Sequence, residues 1–146
     1  MSWTGLDAFD TTIHTTNAWL HAIMEELGLK DRRRAYHALR VVLHAARDRL
    51  TVSEAADLGA QLPLLVRGLF YEGWQPGDRP SRGRRLSEFL APVEVAFRDR
   101  SDLEPGAIVL TVLRIMDERL GPGALSDVLR ALPEELRYRW PAGVPS

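Results

Sequence analysis

The chain has 146 residues, 45% of them hydrophobic and 27% charged, with a formal net charge of −1. This composition is too apolar for a disordered chain and suits one ordinary domain or two small halves sharing a core, with no overall field toward nucleic acid or anionic lipid. Cysteine is absent, which excludes disulfides, thiolate nucleophiles and zinc–cysteine sites together.

The N-terminal stretch MSWTGLDAFD lacks the basic-then-apolar pattern of a leader, and no apolar run approaches the roughly 18 residues of a membrane span. A cytoplasmic location is the expectation. Apolar spacing is helical almost throughout. Leu6, Phe9, Ile13, Leu20, Met24 and Leu27 predict one buried face of a first helix, closed by Gly28 as a left-handed cap with Leu29 behind it. Asp31 is placed to cap a second helix whose inner face is Ala35, Leu39, Val42, Leu43, Ala46 and Leu50. Thr51 and Glu54 predict a capping box on a short third helix ending near Gln61. Pro63 fits the first turn of a fourth helix ending near Phe70. After the linker, Leu86–Phe97 reads as a helix that Pro92 should kink or split. Ser101 and Glu104 predict a second capping box before a helix through Leu120. No segment alternates as a strand should, so the expected class is all-α.

The second half repeats the first with an offset of 70 residues. Leu50 matches Leu120, Asp57 matches Asp127, Leu62-Pro63 matches Leu132-Pro133, and Phe70 falls on Trp140. Arg49 and Arg67 fall on Arg119 and Arg137. The expectation is two tandem pseudo-repeats of about four helices, residues 1–71 and 86–146, joined by a docked linker over 72–85 and packed into one compact helical domain.

The segment QLPLLVRGLFYEGWQPGDRP (Gln61 to Pro80), the helix carrying Glu88-Phe89-Leu90, and LPEELRYRWP (Leu132 to Pro141) together resemble a bacterial family of two helical halves. That family is domain of unknown function 2267. The resemblance runs from about Phe9 to Pro141, with the aromatic tail FYEGW as its most specific part. It implies a helical fold and a bacterial cytosolic setting, and it implies no activity.

Three groups of residues invite a functional reading. Arg33, His37, Arg40, His44 and Arg47 recur at steps of four and three, a basic stripe on the outward face of the second helix. Arg79, Arg82, Arg84 and Arg85 form a basic exit from the linker, set against the dipole of the helix that follows. Phe70, Tyr71, Trp74 and Trp140 predict aromatic docking across the seam between halves. Asp48 with Arg67, and Glu118 with Arg137, predict an ion pair within each half. The histidines His14/His21 and His37/His44 are seven residues apart, about 10.5 Å along a helix, too far for one pair to chelate a metal. Neither a metal nor a cofactor is expected, and no hydrolase, phosphate-loop or dinucleotide motif is present. The expected role is therefore a non-catalytic protein-interaction module in a regulatory or stress setting, with a protein partner and no membrane. The alternative is an anion or nucleic-acid binder using the arginine groups.

Overall fold

Helical order begins at Asp7. The computed structural model describes residues 3–76, 85–141 and 143–145. Among these the elements are α1 (Asp7–Leu27), α2 (Arg32–Arg47), α3 (Val52–Gln61), α4 (Leu64–Tyr71), α5 (Leu86–Ala96), α6 (Pro105–Arg119), α7 (Ser126–Ala131) and α8 (Glu134–Arg137). The class is all-α, as the spacing predicts, and the chain is compact around one continuous core.

Helix α2 is the centre of the molecule, packing against α1, α4, α5, α6 and α7. Its sequence explains that position. Ala35, Ala38 and Ala46 let neighbouring backbones approach, and Leu39, Val42 and Leu43 fill the space between them, all buried. Each of the three larger side chains contributes about 1.5–3 kcal/mol by leaving water. The outer layer is completed by α1 against α6 and by α5 against both α2 and α6. Ion pairs bind its edges: Arg34 grips Asp99 with two hydrogen bonds of 2.8 and 3.0 Å while lying over the Phe97 ring, and Glu26 of α1 meets Arg114 of α6 at 2.5 Å.

The local signals in the first half hold. Gly28 adopts φ 65°, and both its amide and that of buried Leu29 donate to the Met24 carbonyl. A side chain there would strain the left-handed backbone, which glycine tolerates. Asp31 caps α2 through the Arg33 amide, and Thr51 and Glu54 form the predicted capping box on α3.

Four expectations need correction. The buried face of α1 is Thr16, Trp19, Leu20, Ile23 and Leu27, whereas Leu6 and Phe9 remain 50% and 49% exposed. Periodicity located a stripe, but the neighbouring helices cover only its C-terminal two-thirds. Pro92 does not split α5, which runs unbroken over 11 residues. The carbonyl it leaves unpaired belongs to Glu88, an exposed position where water can serve. Glu104 itself caps α6, accepting from the Ala107 amide at 2.9 Å, with Pro105 at the first helical position; Ser101 takes no part. Pro63 stands one residue before α4 and not within its first turn.

Candidate functional site

The predicted basic stripe divides along its length. Arg33 and His37 are exposed, with His37 beside the Tyr36 ring. The other three turn toward α4. The Arg40 guanidinium pairs with Glu72 at 2.7 Å and holds that carboxyl below its ordinary pKa. His44 is half-buried, and its Nε2–H donates to the Leu69 carbonyl at 2.8 Å, so it does not face outward. Burial is the main cause of its lowered pKa, with Arg47 and Arg40 adding repulsion. Arg47 is only 6% exposed and donates to the Phe70 and Glu72 carbonyls at 3.0 and 2.7 Å, with Asp48 at 3.0 Å. A stripe of period 3.5 drifts about 20° per heptad on a helix of period 3.6, so Arg47 sits roughly 40° nearer the core than Arg33. The signal was readable: Arg47 stands four residues after buried Leu43, inside the apolar stripe.

The predicted ion pairs of Arg67 and Arg137 are replaced by carbonyl contacts. Arg67 reaches back to the Gly59 and Leu62 carbonyls at 2.8 and 3.1 Å, and Arg137 donates to the Arg130 carbonyl at 3.0 Å. Both helices they serve, α3 and α7, end against a proline, leaving last-turn carbonyls that a guanidinium fork satisfies. Asp48 instead meets Arg47, and Glu118 meets Arg114 and Arg119.

The aromatic group also resolves into parts. Phe70 is fully buried, and Tyr71 packs edge-on to it with ring centroids 5.0 Å apart. Tyr71 lies on α3: its hydroxyl donates to the Ala55 carbonyl, and a Cβ at Gly59 would come within 2.1 Å of that oxygen. Trp74 continues the stack at 5.2 Å. Helix α4 packs on α1, α2 and α3, and Tyr71 joins Phe70 and Trp74 to the side of α3. Trp140 is buried beside a cavity of about 610 Å³ shared with Arg137, Tyr138 and Val144.

Two further features were not read from the sequence. Arg49, just past α2, is 5% exposed; it crosses to the last turn of α7 by donating to the Ala131 carbonyl and lies over the Phe89 ring at 5.6 Å. It forms the floor of a polar cavity of about 520 Å³ lined also by Arg85, Ser87, Arg130, Glu134 and Arg137. Arg49 stands three residues after buried Ala46, again a charge on the apolar phase. Arg79, Arg82 and Arg84 lie outside the described residues; Arg85 is exposed at the start of α5. The second feature is a mainly apolar groove of about 460 Å³ between α1 and α4, lined by Ile13, Leu20, Tyr36, Leu65, Leu69 and Glu72. Phe9 stands one turn before Ile13, and the Thr12 hydroxyl accepts from the Leu65 amide at 2.9 Å, fixing the two helices side by side.

Among the described residues no group of three His, Cys, Asp or Glu is placed to hold a metal ion, and no helix is long and apolar enough to cross a membrane. The molecule is an all-α protein with a central helix, an apolar groove on one flank and an arginine-lined cavity beside the ends of α5, α7 and α8. Residues 16–138 match the family described as Uncharacterized conserved protein (DUF2267), and the chain belongs to that family. No curated protein matches the chain.

Proposed function

We propose that the chain is a non-catalytic interaction module whose α1–α4 groove seats a basic amphipathic helix of a partner protein. The observation that carries this reading is the uncovered apolar run beside the groove: Leu6, Phe9 and Leu65 are each about half exposed, next to the apolar lining of Ile13 and Leu69. Contiguous apolar surface of this kind marks an interaction site more often than an unfinished core. Charge selects the partner. No lysine or arginine lies in α1, whose first turn carries Asp7 and Asp10, so basic flanks on the incoming helix complement it.

The titratable groups support binding over catalysis. The carboxyls with resolved shifts, Glu72, Asp99, Asp102 and Glu104, are all pushed down, each chiefly by an arginine hydrogen bond. That direction holds them ionised, the opposite of a general acid tuned toward neutrality. The reading includes two tandem halves, supported by element order. Moved back by 70 residues, α5, α6, α7 and α8 fall on 16–26, 35–49, 56–61 and 64–67, overlying α1, α2, α3 and α4 in turn. A bacterial cytoplasmic setting with a regulatory or stress role completes it.

The test places a photo-crosslinking residue at Phe9 or Leu65 of the full chain, in cells that make the protein. The expected result is adducts to a partner segment with helical apolar spacing and basic flanks, lost when Leu65→Glu accompanies the Phe9 probe while helical content is unchanged. Adducts only between copies of the chain, or none above those from a probe at exposed Val95, overturn the proposal.

A further inference from the structure

Among the described residues three glycines lie inside helices, and two of them are explained by the chain itself. A side chain at Gly59 of α3 would strike the Tyr71 ring, and one at Gly106 of α6 would meet the Arg139 guanidinium at 2.6 Å and the Glu104 carboxylate at 2.8 Å. Gly68, in the interior of α4, is different. Its backbone is helical with no positive φ, and nothing stands within 4 Å of the place a Cβ would take. Alanine would fit there and make the better helix, so neither the backbone nor the chain's own packing asks for glycine. Gly68 lines the α1–α4 groove, one turn after half-exposed Leu65. The exposed positions of α4 are Leu64, Leu65 and Gly68, and none carries a polar side chain, whereas a helix face left to water favours charged and polar residues. Arg67, the one charged residue of α4, turns back onto the carbonyls at the end of α3.

We propose, on the reading that the α1–α4 groove is the docking surface, that Gly68 is the point of closest approach for the partner helix, which presents glycine, alanine or serine there. The spacing of two packed helices, about 8–10 Å between axes, is set by the side chains at the contact, and a glycine allows the short end of that range. A small residue opposite keeps the approach close, so that Leu65 and Ile13 bury against the partner. A bulky one would hold the two backbones apart and leave those side chains partly wet, so the glycine selects partners by size at one position. The same glycine costs the free chain helix stability that alanine would restore, the trade expected where a position serves binding.

The test uses the full chain with the photo-crosslinking residue at Phe9, in cells that make the protein. It compares Gly68→Ala, Gly68→Leu and Ala56→Leu, the last adding bulk on the exposed face of α3 outside the groove. Gly68→Ala should raise the midpoint of thermal unfolding by about 2–4 °C while cutting the adduct yield at least about threefold. Gly68→Leu should cut it at least about tenfold, and Ala56→Leu should leave it within about twofold of the unsubstituted chain. An unchanged yield in Gly68→Ala, a loss in Gly68→Leu no larger than in Ala56→Leu, or a midpoint lowered by Gly68→Ala overturns the role of Gly68 and leaves the groove as docking surface. No adducts in the unsubstituted chain overturns the groove reading, and the crossing point falls with it.

Discussion

The corner between α3 and α4 and the corner between α7 and α8 have related sequences and different finishes. In the first, Tyr71 lies down on Gly59, Phe70 is sealed beneath it, and Arg47 and His44 of α2 fasten the helix end by its carbonyls. In the second, the position 70 residues after Tyr71 is Pro141, and α8 is a single turn beside two cavities. An aromatic that can reach a glycine closes a corner; without one, Arg137 at the α7 end is left lining a cavity. Arginines thus fasten helix ends at both corners, under a sealed surface at one and beside a cavity at the other.

Substitutions can break this contrast, beginning with the largest. Phe70→Ala should cost about 3–5 kcal/mol in denaturant unfolding, because nothing around a fully buried ring can collapse into its space. Trp140→Ala, at the edge of a cavity, should cost clearly less; equal costs would mean the two corners are equally packed. Arg47→Met should cost roughly 2–3 kcal/mol, since the Phe70 and Glu72 carbonyls lose their donor in a buried setting. An effect below about 0.5 kcal/mol would place Arg47 among the ordinary surface cations.

Gly59→Ala is expected to lose roughly 1–3 kcal/mol as the new Cβ displaces the Tyr71 ring. In a Tyr71→Ala background the same change should stabilise by up to about 1 kcal/mol, because alanine then acts only as the better helix former. A sign that does not reverse would remove the ring from the account.

The smallest effect is in pH. Unfolded His44 takes up a proton near 6.5, while the folded protein resists until a lower pH, chiefly because the ring is buried. The unfolded state then binds more protons, so stability falls as pH drops below 6.5 through that window and is fully regained above it. Arg40 and Arg47 face the ring and oppose its charging, and Glu72 favours it. His44→Gln keeps a donor for the Leu69 carbonyl and should flatten this slope; an unchanged slope would assign it to another group.

Much of the secondary structure could be read directly because its causes are local. The Gly28 cap, the Asp31 cap and the Thr51–Glu54 box each involve groups within a few residues, and the α2 face is written in its apolar phase. The candidate sites were less legible. Arg47 reads as part of an outward basic stripe because composition counts charge without saying which carbonyls lie opposite. Its position on the apolar phase of α2 was the available clue.

The sequence by itself determined an all-α chain, most of its helix ends and the family to which it belongs, since these depend on spacing, caps and motif order. Only the tertiary structure decided which part of the α1 stripe is covered, which arginines are spent on carbonyls, and that four of them meet in one cavity. Those outcomes rest on contacts between residues as far apart as Arg49 and Ala131, and the distance between such groups is set by how helices pack.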